Sequence, residues 1–240
     1  MDALRPDWPA PPAVRALTTT RVGGVSRPPW DGFNLAAHVG DRPAHVARNR
    51  SLLRSRFGLP GDPAWLSQVH GTDVLEAGRG GEADAVWTDV PGRVCAVLTA
   101  DCLPVLFCAD AGTCVAAAHA GWRGLAAGVL EATVAALPAE PAGLLAWLGP
   151  AIGPDAFEVG DEVRSAFVGR DAGAAAAFRP AGAGRWLADL YALARLRLAA
   201  AGVTRVSGGG WCTFDDRDRF YSYRRDGITG RMASLVWLQP

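Results

Sequence analysis

The sequence predicts a fold that combines buried β-strands with helices, and three observations carry that prediction. Short apolar runs bounded by Gly, Pro and Asp, such as Val94 to Leu98, Val105 to Ala109 and Val115 to Ala118, read as buried strands. Longer stretches, among them Pro43 to Phe57, have helical spacing of apolar residues. No linker long enough to split the 240 residues interrupts them, so residues 14–240 are expected to form one domain behind an extended, Pro-rich lead-in at 1–13.

In chain order, Val14 to Thr20 reads as a strand that runs into Arg21 and a tight turn at Gly23 and Gly24. Phe33, Asn34 and Leu35 lie in a mixed polar and apolar segment before His38 and Gly40. The helix from Pro43 to Phe57 turns Val46, Leu52 and Leu53 inward and its arginines mostly outward. Trp65 to Val69 reads as a strand ending on His70 and Gly71, and Ala83 to Asp89 as another with an acidic start. After the three runs already named comes a helical pattern from Leu125 to Leu137, entered through Gly121 and Gly124, which would set the free N–H groups of a helix start beside His119. Leu144 to Leu148 is a strand whose exit, G-P-A-I-G-P, must be a rigid loop because its prolines forbid helix. A helix is expected from about Asp161 to Val168, a mobile surface segment over Gly169 to Gly184, a helix over Leu187 to Ala201 capped by Gly202, and a last strand over Ala233 to Leu238.

Composition removes several function classes. Formal net charge is zero, which argues against nucleic-acid or anionic-membrane partners. Every basic residue is Arg, so P-loop, Schiff-base and pyridoxal-phosphate lysines are excluded together. No stretch has the character of a signal peptide or a bilayer-spanning helix, so a cytoplasmic location is expected. The five cysteines, at 95, 102, 108, 114 and 212, lack C-x-x-C spacing, and most read as core thiols.

The chemistry concentrates in Thr99 to Gly124, where Cys102 and His119 both sit at corners between strands and loops. The chain has only four histidines, at 38, 45, 70 and 119, too few for the several copper ions of a multicopper oxidase. A mononuclear site needs only three protein ligands, and His70, Cys102 and His119 suit zinc with one coordination position left open. The same residues also suit a nucleophilic Cys102 with His119 as its base, assisted by Asp101 or the helix start. A fourth ligand such as Cys212 or His38 would instead close the site and make the metal structural.

The segments T-T-R-V-G-G-V-S, F-N-L-A-A-H-V-G-D, S-Q-V-H-G-T-D-V, A-D-A-V-W-T-D, T-A-D-C-L-P-V, A-A-A-H-A-G-W-R-G, L-G-P-A-I-G-P-D-A-F-E-V-G and F-Y-S-Y-R-R-D-G-I-T-G-R-M-A-S resemble the YfiH family. That family has also been called laccase-domain polyphenol oxidase, peptidoglycan editing factor and purine nucleoside phosphorylase. Some of its members carry cysteines where this chain has Asp155 and Ala156. The resemblance implies an α+β fold in which mixed sheets pack face to face with helices outside, and zinc held by His70, Cys102 and His119. It also implies phosphorolysis of adenosine, inosine and methylthioadenosine with an adenosine deaminase side activity, or else hydrolytic editing of a cell-wall precursor by zinc water or a Cys–His pair. On the phosphorylase reading, purine nucleoside and phosphate are the partners, and Arg123 is the first candidate for the phosphate, with Arg21 and Arg224 behind it. Phe33, Tyr221 and Tyr223 are candidates for stacking the purine, and Asn34 for binding the nucleoside.

Overall fold

The computed structural model describes residues 1–240. The N-terminal part contains β1 (Ala3–Leu4), β2 (Val14–Thr19), α1 (Pro43–Phe57), β3 (Pro63–Ala64), β4 (Val74–Glu76) and β5 (Ala85–Thr88). Three long buried strands follow: β6 (Val94–Thr99), β7 (Leu103–Ala109) and β8 (Val115–Ala120). The helices α2 (Trp122–Ala127) and α3 (Val129–Ala136) lead to β9 (Leu144–Leu148), β10 (Glu158–Gly160), α4 (Asp161–Val168), β11 (Phe178–Gly182) and β12 (Arg185–Ala188). The chain closes with α5 (Leu190–Ala200), β13 (Arg205–Gly208), the short α6 (Tyr223–Asp226) and β14 (Met232–Leu238).

Two mixed sheets dominate, one of order β1-β2-β14-β6-β3 and one of order β13-β9-β7-β8-β5-β4. Their period-2 alternation explains how they stack. In β7, Leu106 and Cys108 face the first sheet, while Leu103, Val105 and Phe107 face the helices. In β6, Cys95 and Val97 enter the core between the sheets, and Val94, Ala96 and Leu98 point to the other side, where α1 contributes Leu53. The result is helix, sheet, sheet, helix, as the resemblance implied. A third sheet, β10-β12-β11, lies beside α4.

The α1 boundaries agree with the sequence pattern, but other elements differ from it. The expected helix from Leu125 to Leu137 begins earlier, at Trp122, and is broken at Gly128, whose φ of 114° stops α2 after six residues. Trp65 to Val69 is not a regular strand, although Ser67 bridges Glu82. Within the Ala/Gly stretch, Ala174 and Ala177 reach the main core through a 3₁₀ turn and Phe178 begins β11, while residues 169–173 and 179–184 are exposed. Methyl groups suffice there because the elements approach closely. The predicted start of the following helix, at Leu187, belongs instead to β12. The Pro-rich lead-in carries the two-residue β1, paired with Thr18 and Thr19.

Candidate metal centre

The antiparallel pairing of β7 with β8 brings Leu103 opposite Ala120 and Pro104 opposite His119, so the corner before β7 and the end of β8 meet at one edge. That register places Cys102 beside His119. His70 arrives from the loop that precedes β4. The ligand atoms of His70, Cys102 and His119 lie within 4.8 Å of one another, with Cys102 Sγ 3.7 Å from His70 Nε2. The two imidazoles meet edge to face, 4.8 Å between centroids. Gly121 leaves the room they need, since a Cβ there would stand 2.6 Å from His70 Cδ2 and 3.0 Å from Cys102 Sγ. Two imidazoles and one thiol this close form a donor set that one zinc ion can draw together.

The only two non-glycine residues with positive φ both lie at this corner, His70 at 63° and Asp101 at 89°. Such backbone is costly and persists only where its surroundings fix it. For Asp101 the fixing groups are Thr213 Oγ1, which donates to its Oδ1 at 2.6 Å, and the backbone N–H of Arg224, which donates to Oδ2 at 2.7 Å. Asp101 is therefore engaged away from His119. The carboxylate that does face His119 is Asp84, fully buried, whose Oδ1 lies 2.7 Å from Nδ1. It also accepts backbone N–H bonds from Val69, His70 and Gly71. Gln68 pins the same loop from its other side, bonding both the N–H and the carbonyl of Leu98.

These contacts set the charges. Burial alone would push the Cys102 thiol up, but the neighbouring His119 charge and hydrogen bonds from both histidines overcome it and hold the thiol at about 6. Burial would lower His119, yet the Cys102 thiolate and the Asp84 carboxylate raise it to about 9. Asp84 itself is held below the ordinary carboxylate value: burial opposes this, and the His119 and backbone hydrogen bonds outweigh it. The other strand cysteines behave as core thiols, with burial pushing Cys108 up to about 12 and Cys95 higher still.

A cavity of about 490 Å³ opens on this corner, a volume typical of small-molecule sites. Arg123, Arg224 and Arg231 line it, as do the aromatic rings of Trp122, Phe157 and Tyr223. The Arg123 guanidinium lies 4.6 Å over the Trp122 ring. Arg224 stacks on Phe157 at 5.3 Å and donates to the Glu158 carbonyl at 2.8 Å. Arg231 donates to the carbonyls of Thr229 and Gly230.

Of the residues proposed from sequence, His70, Cys102, His119, Arg123 and Arg224 converge here. Arg21, Phe33 and Asn34 do not. Arg21 pairs with Asp31 at 3.3 Å in a separate shallow pocket. Phe33 is wholly buried beneath α1, and the buried Asn34 side chain bonds Ala36, Asp41 and the Arg231 N–H. Tyr221 is also buried, its hydroxyl donating to the Trp30 carbonyl at 2.9 Å. Neither Cys212 nor His38 joins the three ligand residues, although His38 lines the cavity. Sequence reasoning missed Asp84, Gln68 and Arg231. The acidic start of A-D-A-V-W-T-D was the available signal for the first.

Comparison with known proteins shows the family. The family described as multi-copper polyphenol oxidoreductase laccase matches over residues 15–239. The chain is 62% identical over 239 residues to a purine nucleoside phosphorylase of Pseudomonas aeruginosa, covering 98% of each. It is 58% identical over 237 residues to the purine nucleoside phosphorylase YfiH of Escherichia coli, covering 97% of each. Among solved structures, a Neisseria meningitidis protein superposes with a TM-score of 0.96 at 54% identity over 100% of both chains. YlmD of Geobacillus stearothermophilus gives 0.94 at 30% identity, covering 100% of this chain and 97% of its own.

Proposed function

The chain belongs to the YfiH family, described also as multi-copper polyphenol oxidoreductase laccase, and from that membership we propose that it is a zinc-dependent purine nucleoside phosphorylase acting on adenosine, inosine and methylthioadenosine, with adenosine deaminase activity as a side reaction. The observation that carries this reading is the single cavity that joins the His–Cys–His corner to arginines and aromatic rings. His70, Cys102 and His119 would hold the zinc, which when bound supplies Lewis acidity at the corner. Only two of the four histidines stand there, which suits one ion and not a multicopper cluster.

Phosphorolysis forms a bond from a phosphate oxygen to the ribose anomeric carbon and breaks the bond from that carbon to the purine nitrogen. The departing base takes the electron pair and must gain a proton. Arg123 meets the first requirement: it is anchored by stacking on Trp122 and its N–H groups remain available to a phosphate. Arg224, fixed through its backbone to Asp101 and through its side chain to Glu158, is the second candidate. Arg21 lines another pocket and pairs with Asp31, so the phosphate reading rests on Arg123 and Arg224. Tyr223 and Trp122 present rings on which a purine can stack.

Purified protein incubated with adenosine, with and without phosphate, tests the reading. Adenine and ribose-1-phosphate, formed only with phosphate, are expected as the main products, and inosine as the minor one. Free ribose in place of ribose-1-phosphate would sink the phosphorylase assignment. Elemental analysis should find about one zinc per chain, and stoichiometric copper without zinc would count against it.

A further inference from the structure

Two of the three proposed ligands come from segments far apart in sequence, the loop at residues 69–71 and the end of β8, and one side chain touches both. Asp84 Oδ1 meets His119 Nδ1 at 2.7 Å and accepts the His70 N–H at 3.0 Å, while Oδ2 accepts from Val69 at 3.1 Å and from Gly71 at 2.6 Å. The Asp84 carbonyl also accepts the His119 N–H at 2.7 Å. The side chain is wholly buried. Three of the four groups facing this carboxyl are backbone N–H donors, and the sharp loop they belong to contains His70 with its positive φ. A carboxylate is the only side chain of this size with acceptors enough for the loop and the ring together.

We propose that Asp84 is the positioning residue of the metal corner: by its contact with Nδ1 it fixes the His119 proton there and leaves Nε2 as the ligand atom, and by its contacts with residues 69–71 it holds His70 at ligand distance. The proposal rests on the zinc reading. It gives one residue control over two ligands that no local sequence pattern connects, and it assigns a role to the A-D-A-V-W-T-D motif. Carboxylates that bond the far nitrogen of a ligating histidine tune affinity in this way, and their loss commonly weakens metal binding by about 10–100-fold. In Asp84→Asn a single carbonyl oxygen replaces two acceptors, and the amide turns N–H donors toward backbone donors.

The experiment measures zinc affinity by chelator competition for the wild-type protein, for Asp84→Asn and for Asp41→Asn. Asp41 is another buried carboxylate that lies outside the cavity and serves as the control for general loosening. Asp84→Asn is expected to bind zinc about 10–100-fold more weakly, with Asp41→Asn unchanged. Wild-type affinity in Asp84→Asn, or an equal loss in both variants, would overturn the proposal while leaving the zinc reading intact. Wild-type protein that takes up no zinc would instead remove both. Should Asp84→Asn fail to fold, nitrogen-15 NMR of the zinc-loaded wild type decides: a proton on His119 Nδ1 is expected, and a proton on Nε2 would overturn the proposal.

Discussion

The wall of the cavity that carries His70, Cys102 and His119 is held by the side chains of Asp84, Gln68 and Asp101, whereas the guanidinium groups of Arg123, Arg224 and Arg231 on the facing wall are held by stacking and by bonds to backbone carbonyls. On the first wall, Asp84 and Gln68 fix the loop at residues 68–71 to β8 and β6, and Asp101 ties the Cys102 corner to Thr213 and to the Arg224 N–H. On the second, Arg123 rests on an aromatic ring, and Arg224 and Arg231 donate to main-chain oxygens. The difference fits two chemical tasks. On the proposed reading, ligands that share one ion tolerate little displacement, which a corner pinned by side-chain hydrogen bonds supplies. On the same reading, groups that receive and release an anion must keep N–H donors free, as Arg123 does by resting on a ring.

Breaking the first wall should have the largest effect. Cys102→Ser is expected to lose both zinc and turnover, measured by elemental analysis and by the adenosine assay. Cys102→Asp sharpens the result, because a carboxylate can ligate zinc and cannot act as a thiol nucleophile. Retained metal with partial activity removes the nucleophile mechanism, and retained metal with none favours it.

Breaking the second wall should separate two reactions. Arg123→Ala is expected to lower kcat/KM for phosphate by about 10²-fold, roughly 2.7 kcal/mol of transition-state stabilisation, while deamination falls much less. Equal loss of both at unchanged zinc would mean that Arg123 serves the nucleoside, and the anion site would pass to Arg224.

Smaller effects are expected away from both walls. Cys95→Ser and Cys108→Ser should keep zinc and lose about 1–3 kcal/mol in urea unfolding, since each places a hydroxyl in an apolar core. Asp41→Asn should cost a similar amount and change the acid limb. Burial opposes the low Asp41 value, but bonds from Asn34, Ser26 and the Arg42 N–H depress it below the ordinary 3.8. A carboxyl depressed in the folded state contributes stability that is complete above its unfolded value and is lost as pH falls through the folded one. Wild-type stability should therefore decline below about pH 4 more steeply than that of Asp41→Asn. His45→Ala should be the mildest change, within about 1 kcal/mol and with zinc intact, because its weak 3.5 Å pairing with Asp41 lies on α1, outside the cavity.

The clustering of His70, Cys102 and His119 was legible in the sequence because these residue types are scarce and their corners are marked by Gly, Pro and Asp. The layered fold followed from the resemblance, and the alternation in β6, β7 and β14 accounts for it physically. Arginine roles were less legible, since all the basic residues are the same type and only tertiary placement separates Arg21, bound to Asp31, from Arg123. Phe33 and Asn34 misled for a related reason: a motif records that residues are constrained, and here the constraint is the packing beneath α1. Trp65 to Val69 misread as a strand because its apolar Leu66 does face the core, while the backbone N–H groups near its end go to Asp84 instead of a neighbouring strand.

The strand order β1-β2-β14-β6-β3 puts β14 between β2 and β6, antiparallel to both. During synthesis β2 and β6 leave the ribosome first, and the strand that bridges them comes more than half the chain later. Until then each presents an open edge, able to pair with another nascent chain. Such distant pairing also makes closure of this sheet slow compared with the local β7–β8 hairpin. The hairpin that carries Cys102 and His119 can thus form while the sheet behind it is still incomplete, and the edges of β2 and β6 stay unpaired until Met232–Leu238 arrives.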